Sequence, residues 1–131
     1  MRSSVIEVPS SRRREMVLIT REVESAVRTL GGGDGLVHLW VQHTTAAVVV
    51  NENADPDVAR DLLAAYEALI PDIRFAHAEG NSDAHLLSTM LGPSVTVPLE
   101  NGRMCLGTWQ GIFFVELDGP RTRRMRVTVT G

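Results

Sequence analysis

Residues 36–43 read LVHLWVQH. Apolar side chains fill both alternation classes of this run, the pattern of a strand covered on two faces, so it is expected near the centre of a sheet. Residues two apart share a face. His43 therefore goes with Val37, Leu39 and Val41, and His38 with Leu36, Trp40 and Gln42. His38 has no polar constellation beside it and reads as a satisfied structural histidine, with a functional role as the rival reading. His43 differs, because Thr44 and Thr45 follow it directly and Asn51 and Glu52 come after the apolar strand AAVVV. A strand pair ending in His, Thr, Asn and Glu predicts a pocket rim.

Upstream, Ser4 to Val8 and Met16 to Thr20 read as strands, and the polar PSSRRR between them predicts a hairpin. Thr20 is placed to cap a helix whose apolar stripe is Val23, Val27 and Leu30, ended by Gly31, Gly32 and Gly33. Downstream, Asp55-Pro56-Asp57 is a helix start: Asp55 can accept backbone N–H bonds, and Pro56 at the first helical position loses no useful donor. Val58, Leu62, Tyr66 and Leu69 form its buried stripe, and Pro71 stops it after Ile70. Asp57 and Asp61 share a face of that helix, where Arg60, Arg121 or a metal could relieve their repulsion, or water could solvate both. Ser82 is placed to cap a third helix, Asp83 to Leu91, that ends at Gly92. The remainder reads as an antiparallel meander: Val95 to Leu99, an Asn101-Gly102 turn, Met104 to Trp109, Ile112 to Leu117, a DGPR turn, and Arg123 to Thr130. Gly107 and Gly111 flank Trp109, which suggests a bulge there and a core or interface role for the indole.

At 131 residues and 14.3 kDa the chain holds one core and is expected to form a single domain over 1–131. With 44% apolar and 22% charged residues it has the composition of a folded globular protein. No apolar run approaches the roughly 20 residues of a membrane helix, and MRSSVIEVPSSRRRE lacks a signal-peptide core, so no membrane partner and a cytoplasmic setting are expected. Thirteen basic against sixteen acidic residues give a net charge of −3, and no overall field attracts nucleic acid. Two arginine groups nevertheless stand out, Arg12 to Arg14 and Arg121 to Arg126. Either could meet an anion, although the first reads as exposed turn positions. The lone Cys105, between Met104 and Leu106, reads as a buried structural thiol.

Three of the four histidines lie in polar, non-repetitive segments: His43 in HTTAA, His77 in FAHAEGN and His85 in NSDAHL. Imidazoles bind metals, carry protons near neutral pH, or hydrogen-bond in a core. His85 falls in the first turn of the third helix, with His77, Glu79 and Asn81 on the loop before it, beside N–H groups that favour an anion. The His77 to His85 spacing matches no standard zinc signature.

HTTAAVVVNENADPDVARD, HAEGNSDAHLLSTMLG and PLENGRMCLGTWQGIFFVELDGPRTRRMRV together resemble the YjbQ-like family across residues 36–131, and with the N-terminal strands across the whole chain. The resemblance implies a compact α+β domain with a mostly antiparallel β-sandwich-like core and about three helices, assembled as a homotrimer. It also implies a modest thiamine-phosphate synthase activity, joining a pyrimidine diphosphate to a thiazole phosphate with loss of pyrophosphate. The polar family positions present are His43, Thr44, Thr45, Asn51, Glu52, Asp61, His77, Asn81, His85, Gly107, Thr108, Gln110 and Arg123.

That chemistry asks for charge neutralisation at phosphate, from Mg²⁺, arginine or helix N-termini. Glu52 and Asp61 suit Mg²⁺, whereas His43, His77 and His85 suit Zn²⁺. The expectation is that the three imidazoles converge on a divalent metal or an anion. In it His43, Glu52 and His85 are catalytic, and Thr44, Thr45, Asn81, Thr108, Gln110 and Arg123 hold a small phosphate ligand. Two rivals stand beside an enzyme: a metal- or phosphate-binding homotrimer with incidental synthase activity, and a structural trimer whose polar motifs serve subunit contacts.

Overall fold

The chain runs β1 (Arg2–Pro9), β2 (Glu15–Leu18), α1 (Thr20–Thr29), β3 (Gly35–Val41), β4 (Ala46–Glu52), α2 (Pro56–Ala68), α3 (Ser82–Leu91), β5 (Ser94–Glu100), β6 (Arg103–Met104), β7 (Gln110–Glu116) and β8 (Thr122–Thr130). The structure, a computed structural model, describes residues 1–131. Five strands pair in the order β1-β8-β3-β5-β6 and three in the order β2-β7-β4, all antiparallel.

Alternation places the core between the sheets. Val37, Leu39 and Val41 of β3 and Met125, Val127 and Val129 of β8 face Val48, Ile112 and Phe114 of the smaller sheet, and Val23 and Val27 of α1 close one end. The other face of the smaller sheet packs Ala47, Val115 and Leu117 against Tyr66 of α2 and Ala84 and Leu87 of α3. The result is an α+β domain of sheet, sheet and helices. From Gly111 to Glu116, β7 is buried at every residue, because it is the middle strand of a sheet covered on two sides.

The structure bears out β3 as a central strand, yet only one of its faces is covered: Leu36 and Trp40 are each 46% exposed on the outside of the larger sheet. Several expected pairings are corrected. β1 and β2 form no hairpin, because they lie in different sheets. β3 and β4 likewise part, each taking a partner from the C-terminal strands, β8 and β7. The expected meander survives only as the β5–β6 hairpin, whose Asn101 and Gly102 have φ of 53° and 76°, the left-handed pair a tight hairpin requires. β7 and β8 are joined by a corner between the sheets. Apolar alternation marks a strand but is silent about which sheet receives it.

Caps divide in the same way. Asp55 accepts from the Asp57 N–H at 2.9 Å, with Pro56 following, as expected. The Thr20 hydroxyl instead accepts from the Ile112 N–H at 2.9 Å, so it ties α1 to β7 rather than capping it. Cys105 is exposed, not a buried thiol, and Trp109 is 62% exposed on the loop before β7, not core.

Candidate functional site

At one end of the sandwich β3 runs out into Gln42, His43, Thr44 and Thr45, and β8 begins beside it, with the Gln42 N–H bonded to the Arg124 carbonyl at 3.4 Å. The first turns of α3 face the same end. Between them lies a cleft in two parts that share Gln42, His43, Thr44 and His85. One part, about 360 Å³, is walled by Thr45, Glu79, Asn81, Arg121 and Arg123. The other, about 560 Å³, is walled by Trp40, Val41, Ser88, Thr89 and Pro93.

Arg123 is the anchor of the polar part. Its side chain is 2% exposed and its partner Glu116 is fully buried. Nε donates to both Glu116 oxygens at 3.0 and 2.9 Å, and Nη2 donates to the Thr45 carbonyl at 3.0 Å and hydroxyl at 2.9 Å. Glu116 is further held by the Ser10 hydroxyl at 2.7 Å and the Asp118 N–H at 3.1 Å. Burial alone would push the Glu116 carboxyl up, but the Arg123 and Ser10 hydrogen bonds, the Asp118 N–H and the Arg123 charge outweigh it and hold it below the usual value. Such a pair stays charged only because nearly every lone pair and proton is matched. Nη1 of Arg123 is the exception. It makes no hydrogen bond within the chain, yet it is not enclosed away from solvent, and Arg123 lines the cleft.

His43 sits beside it in a defined tautomer. Its Nε2 accepts from the Arg124 N–H at 2.8 Å. Burial, and then the Arg123 charge, hold its pKa below the usual 6.5 against a smaller opposing pull from Glu116, so the ring is neutral. A neutral imidazole whose Nε2 is an acceptor carries its proton on Nδ1. His43 therefore offers a ligand a donor, not a lone pair. His85 carries no hydrogen bond on its ring, and His77 meets it edge to face with centroids 5.4 Å apart.

This geometry decides the expected metal site. A metal ligand must present a lone pair, and the His43 lone pair is spent on Arg124. No three His, Cys, Asp or Glu side chains group around a point that could hold an ion. Within one chain, then, His43, His77 and His85 do not gather around a common point as a ligand set for Zn²⁺ or Mg²⁺.

The cleft does collect His43, Thr44, Thr45, Asn81, His85 and Arg123. It does not collect Glu52, Thr108 or Gln110. Glu52 pairs with Gln110 at the far end of β4, roughly 20 Å along the strand at about 3.4 Å per residue, so within one chain it does not reach His43. Gln110 turns its Oε1 onto the Gly107 N–H at 2.8 Å, securing its own loop. Asp57 pairs with Arg60 on the exposed face of α2 at 3.1 Å, one of the cations expected to relieve that acidic pair.

Sequence reading missed the carboxylates behind the site. Asp118 takes the Asn81 amide at 3.0 Å and the Arg121 guanidinium at 3.4 Å, so it sets both at the cleft wall. Asn81 Oδ1 remains buried without a partner. Asp83, in the first turn of α3, pairs with Arg13 at 3.0 Å and with Arg14. Burial opposes its ionisation, but the Arg14 hydrogen bond, the Ala84 N–H and the two arginine charges prevail and keep its pKa low. A carboxylate thus already occupies the helix N-terminus that was expected to favour an anion. The signal for Glu116 was present: in GIFFVEL a charge interrupts a run with no polar alternation, and a buried acid must be paired.

Comparison with known proteins agrees with this architecture. Residues 4–131 match the profile described as UPF0047 protein YjbQ-like. The chain belongs to the YjbQ-like family. UPF0047 protein YugU of Bacillus subtilis is 44% identical over 128 residues, covering 96% of this chain and 97% of that protein. The crystal structure of hypothetical protein APE1520 from Aeropyrum pernix superposes with a TM-score of 0.94 at 40% identity, over 100% and 99% of the two chains. The YbjQ-like protein of unknown function SSO2532 from Sulfolobus solfataricus gives 0.92 at 37% identity, over 98% and 96%. These YjbQ-like relatives carry family names or an explicit statement of unknown function, and none is called a synthase. The expectation of thiamine-phosphate synthase activity is accordingly withdrawn. No helix is long and apolar enough to cross a membrane.

Proposed function

We propose that the cleft binds a small phosphate ester, and that the protein acts as a phosphate-ligand-binding member of the YjbQ-like family. The observation that carries the reading is the buried Arg123 guanidinium, locked in place by five hydrogen bonds from Nε and Nη2 to Glu116 and Thr45 while Nη1 makes none, in a residue that lines the cavity. Arginine matches phosphate geometry and binds it with charge-assisted bonds. Arg121, held by Asp118, adds a second positive charge at the same wall. The His43 Nδ1–H adds a neutral donor, and Thr44, whose hydroxyl has no partner in the chain, is a further one. His85 is the imidazole with both nitrogens free, so any proton exchanged with a bound ester falls to it.

Calorimetric titration with inorganic phosphate tests this. Binding is expected in the wild type, weakened about tenfold or more by Arg121→Gln, the loss of one charge-assisted contact. Absence of phosphate binding, or binding indifferent to Arg121→Gln and His85→Ala, sinks the reading. Self-association into a trimer belongs to the same proposal. It is supported by the exposure of Trp109, and light scattering should then return three times the 14.3 kDa chain mass.

A further inference from the structure

We infer that the turn between β1 and β2 sets the phosphate site from behind, and that Ser10 is its positioning residue, holding Arg121 and Arg123 at a fixed spacing. The inference rests on the phosphate reading above and concerns a segment which that reading leaves unused.

Residues 10–14 read SSRRR, and a connection of this composition ordinarily runs solvated over the surface. Here it is packed against the corner that joins β7 to β8. The Ser10 N–H donates to the Arg121 carbonyl at 2.9 Å, and the Gly119 N–H donates to the Arg13 carbonyl at 2.9 Å. The approach leaves no room for a side chain on the corner: a Cβ at Gly119 would lie 2.4 Å from the Arg12 carbonyl oxygen and 2.7 Å from Ser10 Oγ.

The Ser10 hydroxyl stands where the supports of the two cleft arginines meet. Its oxygen accepts from the Arg121 N–H at 3.0 Å. Its proton has two acceptors in reach, Glu116 Oε1 at 2.7 Å and the Arg121 carbonyl at 3.0 Å. The carboxylate takes it, because that contact is shorter and charge-assisted and the carbonyl already has the Ser10 N–H. Glu116 in turn carries Arg123. One hydroxyl thus fixes the carboxylate behind one guanidinium and the main chain of the other, without lining the cleft itself. A ligand then meets two cations already in place, and the cost of ordering them is not taken from its affinity. The same turn reaches α3, where Arg13 pairs with Asp83 at 3.0 Å, two residues before His85. That tie is duplicated by Arg14, so loss of either arginine leaves the other. The tie at Ser10 has no duplicate.

The test compares Ser10→Ala with Val27→Ala, a truncation in the core beneath α1 that lowers stability without touching the turn. Calorimetry with inorganic phosphate reads affinity, urea denaturation reads stability, and nuclear magnetic resonance follows the Arg123 Nε–H that Glu116 holds. Ser10→Ala should weaken phosphate about fivefold, the worth of one hydrogen bond, and shift the Nε–H resonance. Val27→Ala should lose at least as much stability and change neither. Wild-type affinity in Ser10→Ala, an unmoved Nε–H resonance, or an equal loss of affinity in Val27→Ala would overturn the positioning role while phosphate binding stands. Failure of the wild type to bind phosphate overturns the site reading and this inference with it.

Discussion

Two arginine side chains are almost enclosed in this molecule, and only one of them lines the cleft. Arg14, 7% exposed, spends every arm inside the chain: Nε on Glu67 of α2, Nη2 on Asp83 of α3, and Nη1 on the Leu117 carbonyl at 2.9 Å. Arg123 spends Nε and Nη2 and leaves Nη1 without a hydrogen bond in the chain. The first is a staple between the N-terminal turn and two helices. The second is a staple that also lines the cleft, where we propose that it meets a ligand. Burial and charge are alike in both, so what separates structure from function is the count of donors left over.

The sharpest way to break this comparison is to remove each guanidinium in turn. Arg123→Met leaves the Glu116 carboxylate buried and unpaired, at a cost of about 3–5 kcal/mol, and abolishes phosphate binding. Adding Glu116→Gln should recover part of the stability and none of the binding. Urea denaturation of the single and double variants reads the first effect and calorimetry the second; full recovery of binding in the double variant would contradict the role given to Nη1.

Arg14→Met is expected to cost less, about 1–3 kcal/mol, because Glu67 is largely exposed and can return to water. Phosphate affinity, at a cleft Arg14 does not reach, should stay within about twofold. A loss of affinity as large as that of Arg121→Gln would show that the staple and the cleft are one unit.

The smallest effect is in acid. His43, Asp83 and Glu116 all have folded pKa values below their ordinary 6.5, 3.8 and 4.5. For each, the unfolded chain binds more protons, so stability is full above the ordinary value and is lost as pH falls through the folded one. Unfolding free energy should decline gently below pH 6.5 as His43 is charged, then more steeply below about 4.5. Arg14→Met should flatten the Asp83 part of the lower limb, while the Glu116 part persists. Stability that rises on acidification would refute the assignment.

Much of the candidate site was legible. HTTAA and NSDAHL carried His43, Thr44, Thr45 and His85, and the arginine group at the start of β8 carried Arg121 and Arg123. Glu52, Thr108 and Gln110 read as polar motif residues too, yet they fold to the opposite end of β4, because a strand separates its two termini by its full length. The Asp83 carboxylate was invisible as a site support because Arg13 and Arg14 lie about 70 residues away, and so was the tie of Asp118 to Asn81, 37 residues away, although Arg121 is only three residues from Asp118.

The order of helices and strands, the Asp55 cap and the Asn101-Gly102 turn were determined by the sequence alone, because each depends on neighbours within a few residues whose sterics and hydrogen bonds are local. The division of strands between two sheets, the tautomer of His43 and the free nitrogen of Arg123 were decided only by tertiary structure. Each is set by groups distant along the chain, such as the Arg124 N–H 81 residues from His43. No local pattern encodes whether a donor will find its partner once the sheets close.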